Sequence, residues 1–196
     1  MGRARTSQQL RIIGGQWRGR KLRFPAIAGL RPTPDRVRET LFNWLAPSIY
    51  GARCLDLFAG SGALGIEALS RGASSVVFVE HDPQATKLLR ENLRLLQTDA
   101  AELINRDALG WLKQATPVSA SIVFLDPPFG RNYLESVCGM LENSGHLTTA
   151  CLIYLESDIK TSVTLPVSWE VLRDKTAGQV RYRLARRAVS VEKIGG

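Results

Sequence analysis

The chain has 196 residues, 44% of them apolar, and a formal net charge of +8, which is enough to bury one sizeable core and too little for two full domains. Three cysteines, Cys54, Cys138 and Cys151, lie in apolar surroundings without C-x-x-C spacing, which argues against a disulfide framework or a zinc site and points to a reducing compartment. No stretch approaches the roughly 20 apolar residues of a membrane-spanning helix and the start, MGRARTSQQL, is polar and basic, so a cytoplasmic protein without membrane attachment or bound metal is expected.

The charge is unevenly divided. Residues 1–38 carry ten Lys or Arg against Asp35 alone, and residues 173–196 carry seven against Asp174 and Glu192, whereas residues 39–172 hold nine basic and fifteen acidic side chains. Basic ends around an acidic centre suit a protein that grips a polyanion and does chemistry in its middle; the plainer reading is solvated faces.

In chain order, Arg11 to Phe24, RIIGGQWRGRKLRF, interleaves β-formers, glycine pairs and Arg, predicting a small basic hairpin or arm within residues 1–30, ahead of a single domain over 31–196. Gly14 and Gly19 have phosphate-loop spacing, but Arg20 and Lys21 stand where Lys and Ser/Thr are required, so a P-loop is rejected. LRPTPDRVRETLFNWLAP predicts a helix capped by Thr33 or Asp35, with Val37, Leu41, Phe42, Trp44 and Leu45 as its apolar stripe. Five short apolar runs then follow, ARCLDLF, SVVFVE, AELINR, SIVFLD and CLIYLES, alternating with helix-like segments near 62–71, 83–97, 107–115 and 132–143. Continuous rather than alternating apolarity predicts strands covered on both faces, hence an α/β fold with a mostly parallel sheet. The end, SWEVLRDKTAGQVRYRLARR, predicts an antiparallel pair turning at Ala177 and Gly178, with Arg181, Arg183 and Arg186 presented on one face.

Ligands of open parallel sheets bind at the carboxyl ends of the strands. Those ends carry Asp56 to Gly62, then Glu80, then Asp107, then the tetrapeptide DPPF, Asp126–Phe129. Gly60, Gly62 and Gly65 spell G-x-G-x-x-G, and Glu80 stands where an acid for a ribose diol belongs, so a dinucleotide site is the first alternative. Asp56 argues against it: an acid at the strand end repels a pyrophosphate but attracts an ammonium, such as the amino-acid end of S-adenosyl-L-methionine. Asp107 is placed to accept an adenine amine, or simply to cap a helix. DPPF suits an exocyclic base amine, a poor nucleophile until acceptors hold its N–H bonds. Asp126 and the Pro127 carbonyl supply acceptors, Pro128 stiffens the loop, and Phe129 offers a face to an unstacked base.

RIIGGQWRGRKL, LRPTPDRVRETLFNWL, LDLFAGSGALGIEALSRGA, FLDPPF and AGQVRYRL together resemble, over nearly the whole chain, the bacterial family that methylates N2 of guanine 966 in 16S ribosomal RNA (RsmD type), within the class I S-adenosylmethionine-dependent methyltransferases. The resemblance implies a Rossmann-like, seven-stranded sheet with an antiparallel last strand and helices on both faces. It implies cofactor contacts from Asp56, Phe58, Gly60, Gly62, Glu80, Asp107 and Ala108, and a target guanine held by Asp126, Pro127, Pro128 and Phe129. Arg18, Arg20, Arg31, Thr33, Arg36 and Arg38 are expected to contact RNA, in the small ribosomal subunit or its assembly intermediate, by a monomeric protein. A DNA adenine-N6 or other amine methyltransferase and a catalytically silent RNA-binding assembly factor stand as alternatives.

Overall fold

The computed structural model describes residues 8–25, 33–128 and 133–188. Its centre is a seven-stranded sheet built from β3 (Arg53–Asp56), β4 (Ser75–Glu80), β5 (Ala101–Asn105), β6 (Ala120–Leu125), β7 (Leu147–Asp158), β8 (Trp169–Ala177) and β9 (Val180–Arg187), in the order β5-β4-β3-β6-β7-β9-β8. The strands from β5 to β7 run parallel, and β9 is antiparallel to both β7 and β8. The order reverses between β3 and β6, which opens a crevice at their carboxyl ends.

The continuous apolar runs bury side chains on both faces, as their pattern requires. On one face Cys54, Phe78, Phe124 and Tyr154 pack against α1 (Asp35–Leu45), α2 (Ala63–Ser70) and α3 (Pro83–Leu96). On the other, Leu55, Val79, Val123 and Ile153 meet α4 (Ala108–Gln114) and α5 (Tyr133–Asn143). All three cysteines are buried and free.

The predicted hairpin is β1 (Gln8–Arg11) paired antiparallel with β2 (Lys21–Phe24). It shares the main core: Ile12, Trp17 and Leu22 join the α1–α3 cluster, while Leu10 and Phe24 cover Ala63. Its connecting loop is latched to α2, with the Ile13 and Gly14 amides donating to Glu67 and the Trp17 amide donating to Ser70 Oγ. Gly15 has a φ of 77°, and a Cβ there would lie 1.8 Å from the Ser70 carbonyl oxygen, so only glycine lets the loop come this close. The position separating the arm from the domain, 30/31, lies outside the described residues.

Two readings need correction. Neither Thr33 nor Asp35 caps α1 by its side chain; Pro34 occupies the cap position, Thr33 turns toward the crevice, and Asp35 pairs with Arg38. The arginines of β9 are not a free face. Arg183 is buried, Arg181 is bonded to Asp174 at 3.0 Å, and Arg186 meets Glu170 at 2.8 Å, because β8 supplies acids alongside. Arg186 also lies on the opposite face to Arg181 and Arg183, since strand side chains alternate.

Candidate active site at the carboxyl ends of the parallel strands

Asp56 ends β3 at the reversal point. It is buried, and its Oδ2 accepts the Gly65 amide at 3.1 Å. Burial pushes its carboxyl up to about 7; the Gly65 and Phe58 amides oppose that rise and the charge of Glu80 adds to it. The loop that follows needs glycine at Gly62, which enters α2 with a φ of 78° and an ideal Cβ only 2.4 Å from Leu89. Phe58 is partly buried against the α4–α5 face, its ring 6.3 Å from that of Tyr133.

Glu80 ends the neighbouring strand and grips this loop. Its Oε2 accepts the Gly60 amide and its Oε1 the Asp82 amide, both at 2.7 Å. His81 Nδ1 also lies 3.2 Å from Oε1, so it is Oε2 that keeps a further acceptor position for the ribose role assigned to Glu80. Asp107 caps α4, its Oδ1 accepting from Gly110 at 2.8 Å; Ala108, next in line, is buried. The plainer of the two readings of Asp107 is therefore realised, with Oδ2 left for a ligand.

Asp126 follows β6, next to β3 across the crevice. It is partly exposed, with Pro127 buried behind it and Pro128 exposed. The buried Thr33 donates its hydroxyl to Asp126 Oδ2 at 3.4 Å. Thr33 was expected to face RNA; instead it braces the carboxylate. Phe129 and Arg31 lie outside the described residues.

Sequence reasoning missed Glu156. The β6–β7 register pairs Leu125 with Leu155, so the next residues, Asp126 and Glu156, are neighbours. Glu156 is buried and accepts from the Tyr154 hydroxyl at 2.7 Å. The signal was present, an acid closing the apolar run CLIYLES in the way Glu80 closes SVVFVE. Burial, then the charges of Glu156 and Asp56, hold the Asp126 carboxyl above its usual range, against the Thr33 bond; burial likewise raises Glu156.

Among the described residues, Asp56, Asp126 and Glu156 have no Lys, Arg or His within ion-pair distance. Carboxylates buried wholly, as Asp56 and Glu156 are, or in part, as Asp126 is, fit a positively charged ligand when they lack a cation, and an ammonium together with a sulfonium is such a ligand. No group of three or more His, Cys, Asp or Glu placed to hold a metal ion occurs among the described residues, and none of their helices is long and apolar enough to cross a membrane.

Of the predicted RNA contacts, Arg18, Arg20 and Arg36 are exposed. Arg38 is not. It sits on the inward stripe of α1, fully buried, bonded to the Arg11 carbonyl at 2.9 Å and to Asp35 at 2.7 Å, and 3.6 Å from Glu67. The buried Glu67 carboxylate and the Arg11 carbonyl draw the guanidinium inward, and it holds α1, α2 and the hairpin together.

Residues 10–186 match the family model described as "Conserved hypothetical protein 95". The chain is 52% identical to ribosomal RNA small subunit methyltransferase D of Escherichia coli over 188 residues, covering 95% of this chain and 94% of that protein. It is 47% identical to the protein of the same name from Haemophilus influenzae, covering 90% and 93%. The solved structure of yhhF from Escherichia coli superposes with a TM-score of 0.87 at 52% identity, covering 92% of this chain and 99% of that one. An RNA methyltransferase from Salinibacter ruber in complex with S-adenosyl-L-homocysteine shares the fold at 18% identity, with a TM-score of 0.62 and coverage of 83% and 97%. With the glycine loop, the strand-end acids and the β9 insertion all in place, the chain belongs to the RsmD family of class I methyltransferases, whose methyl donor is S-adenosyl-L-methionine.

Proposed function

We propose that this protein methylates the exocyclic N2 amine of a guanine, guanine 966 in the resemblance drawn above, in 16S ribosomal RNA, acting as a monomer on the small ribosomal subunit or its assembly intermediate. The names of its relatives support ribosomal RNA as the substrate class. One observation carries the chemistry: Asp126 stands at the crevice mouth, held by Thr33, with the Pro127 carbonyl next to it and Asp56 on the adjacent strand.

In this reading Asp56 takes the ammonium of the donor, the Gly60–Gly62 backbone lies along it, Glu80 takes the ribose hydroxyls, and Asp107 with Ala108 borders the adenine. S-adenosyl-L-methionine supplies the methyl group as a sulfonium. Asp126 and the Pro127 carbonyl accept the two N–H bonds of a base turned out of its stack, pointing the nitrogen lone pair at the methyl. Positioning of this kind is worth up to about 7–11 kcal/mol. Arg18, Arg20 and Arg36 bind the phosphate backbone, a salt-dependent and sequence-independent grip. The test is nucleoside mass analysis after incubating the protein with donor and unmodified 30S particles. N2-methylguanosine is expected, and an N6-methyladenosine product, or methylation of protein or DNA in its place, overturns the assignment.

A further inference from the structure

We propose that Glu156 is a positioning residue for the methyl transfer, and that it shares a proton with Asp126 through the Thr33 hydroxyl, so that the amine's departing proton has an acceptor pair rather than a single carboxylate. The inference rests on the reading of Asp126 given above and adds two residues from other parts of the chain.

The placement is specific. Thr33 precedes α1, Asp126 follows β6 and Glu156 lies on β7, and all three meet in the crevice. The Thr33 hydroxyl donates to Asp126 Oδ2 at 3.4 Å, and Thr33 also works against the rise that burial causes at Glu156, which sets it beside both carboxyls. The Tyr154 hydroxyl, on β7, donates to Glu156 Oε1 at 2.7 Å from beneath. Tyr182, on β9, stands opposite Glu156 in register and closes the side. Asp56 adds its charge from β3. Arg181 and Arg183 flank Tyr182 but alternate to the other face of the sheet, and Lys175, opposite Tyr182 on β8, holds its ammonium over the Trp44 ring, so no described cation pairs with the two carboxyls.

Two carboxyl groups on neighbouring strand ends, Glu156 buried and Asp126 partly so, do not both ionise easily, and their protons come off as a pair. The chemistry has one proton to place. As the N–C bond forms, the S–C bonding electrons stay on sulfur, and the nitrogen carries a positive charge and one proton too many. That proton passes to Asp126; the pair gains what the amine loses. Thr33 can accept from one carboxyl while donating to the other, so the proton settles on Glu156 and Asp126 regains acceptor character. The proton returns to water once the product base has left.

Glu156→Gln keeps the shape and the Tyr154 bond but removes one negative charge. Turnover at saturating donor and 30S substrate should fall about 10- to 100-fold with KM and S-adenosyl-L-homocysteine affinity within about twofold of wild type, the range expected for a lost proton-transfer partner. Removing a like charge lowers the ionisation point of Asp126, so the acid limb of the turnover profile should move down by about one pH unit. Thr33→Val should reproduce the loss and Thr33→Ser should restore it. An acid limb that stays in place in a folded Glu156→Gln protein, or full turnover in Thr33→Val, overturns the proposal. A second measurement needs no RNA: calorimetry in two buffers of different ionisation enthalpy counts protons released when S-adenosyl-L-methionine binds, with S-adenosyl-L-homocysteine as reference. Near neutral pH the wild type should release more than Glu156→Gln; equal counts overturn the shared proton. If 30S particles instead yield another product, the guanine-N2 reading falls while the proton count still judges the pair.

Discussion

Asp56→Asn should make this enzyme more stable and weaken its hold on the methyl donor. The Asp56 carboxyl is buried at the end of β3 with Glu80 nearby, and its ionisation is pushed from an ordinary 3.8 to about 7. In the unfolded chain the group ionises near 3.8, so between these values the unfolded state binds fewer protons than the native one. Stability is therefore full below about pH 4 and is lost as pH rises to about 7. At about 1.4 kcal/mol per pH unit the loss is on the order of 4 kcal/mol. Asparagine is neutral throughout and can still accept the Gly65 amide bond. Above pH 7 the variant should gain about 2–4 kcal/mol, which for a chain of this size is a rise in melting temperature of order 10 °C. Thermal unfolding of the ligand-free protein at pH 5 and pH 8 measures it, and calorimetry with S-adenosyl-L-homocysteine should show at least about a tenfold loss of affinity for the neutral variant. A variant that melts lower than wild type at pH 8, or that retains the wild-type difference between the two pH values, refutes the assignment of a strained, ligand-awaiting carboxylate.

Further outcomes follow from the same geometry. Asp126→Ala should abolish turnover while leaving S-adenosyl-L-homocysteine binding within about threefold, measured by single-turnover assay and calorimetry, because the residue faces the base rather than the cofactor loop. Arg18→Glu with Arg20→Glu should weaken RNA binding and flatten its dependence on salt, read from a filter-binding series; an unchanged slope would return the hairpin to a solvated face. Arg38→Met should cost about 3 kcal/mol in urea unfolding, since the charge of Glu67 stays buried with one partner fewer. Gly15→Ala should loosen the hairpin from α2, seen as faster amide exchange at Ile13, Gly14 and Trp17, because its Cβ would collide with the Ser70 carbonyl.

What was legible in the sequence is what the backbone itself ties together. The glycine loop, Glu80 and Asp126 each follow an apolar run directly, so the rule that ligands gather at strand ends located them without any tertiary knowledge. Glu156 escaped, and Thr33 was given to RNA, because their meeting at Asp126 depends on tertiary placement and register. Asp126 and Glu156 are thirty residues apart and become neighbours only once Leu125 pairs with Leu155. Arg38 was misread for the opposite reason: an arginine among the charges of DRVRE looks solvated until Glu67, on another helix, is seen waiting inside. The arginines of β9 read as one presented face because the acids that occupy Arg181 and Arg186, Asp174 and Glu170, come from β8 and meet them only once the two strands pair.

The position of β9 bears on how the enzyme is born. The last strand among the described residues threads between β7 and β8, and its Tyr182 forms the wall beside Glu156. During synthesis the donor crevice, made of β3, β4 and β6, can assemble from earlier segments, whereas the wall beside the carboxylate pair must wait until β9 has left the translation tunnel. Capacity to bind the donor should thus precede capacity to react, and a nascent chain stalled before β9 should be a binder without catalysis.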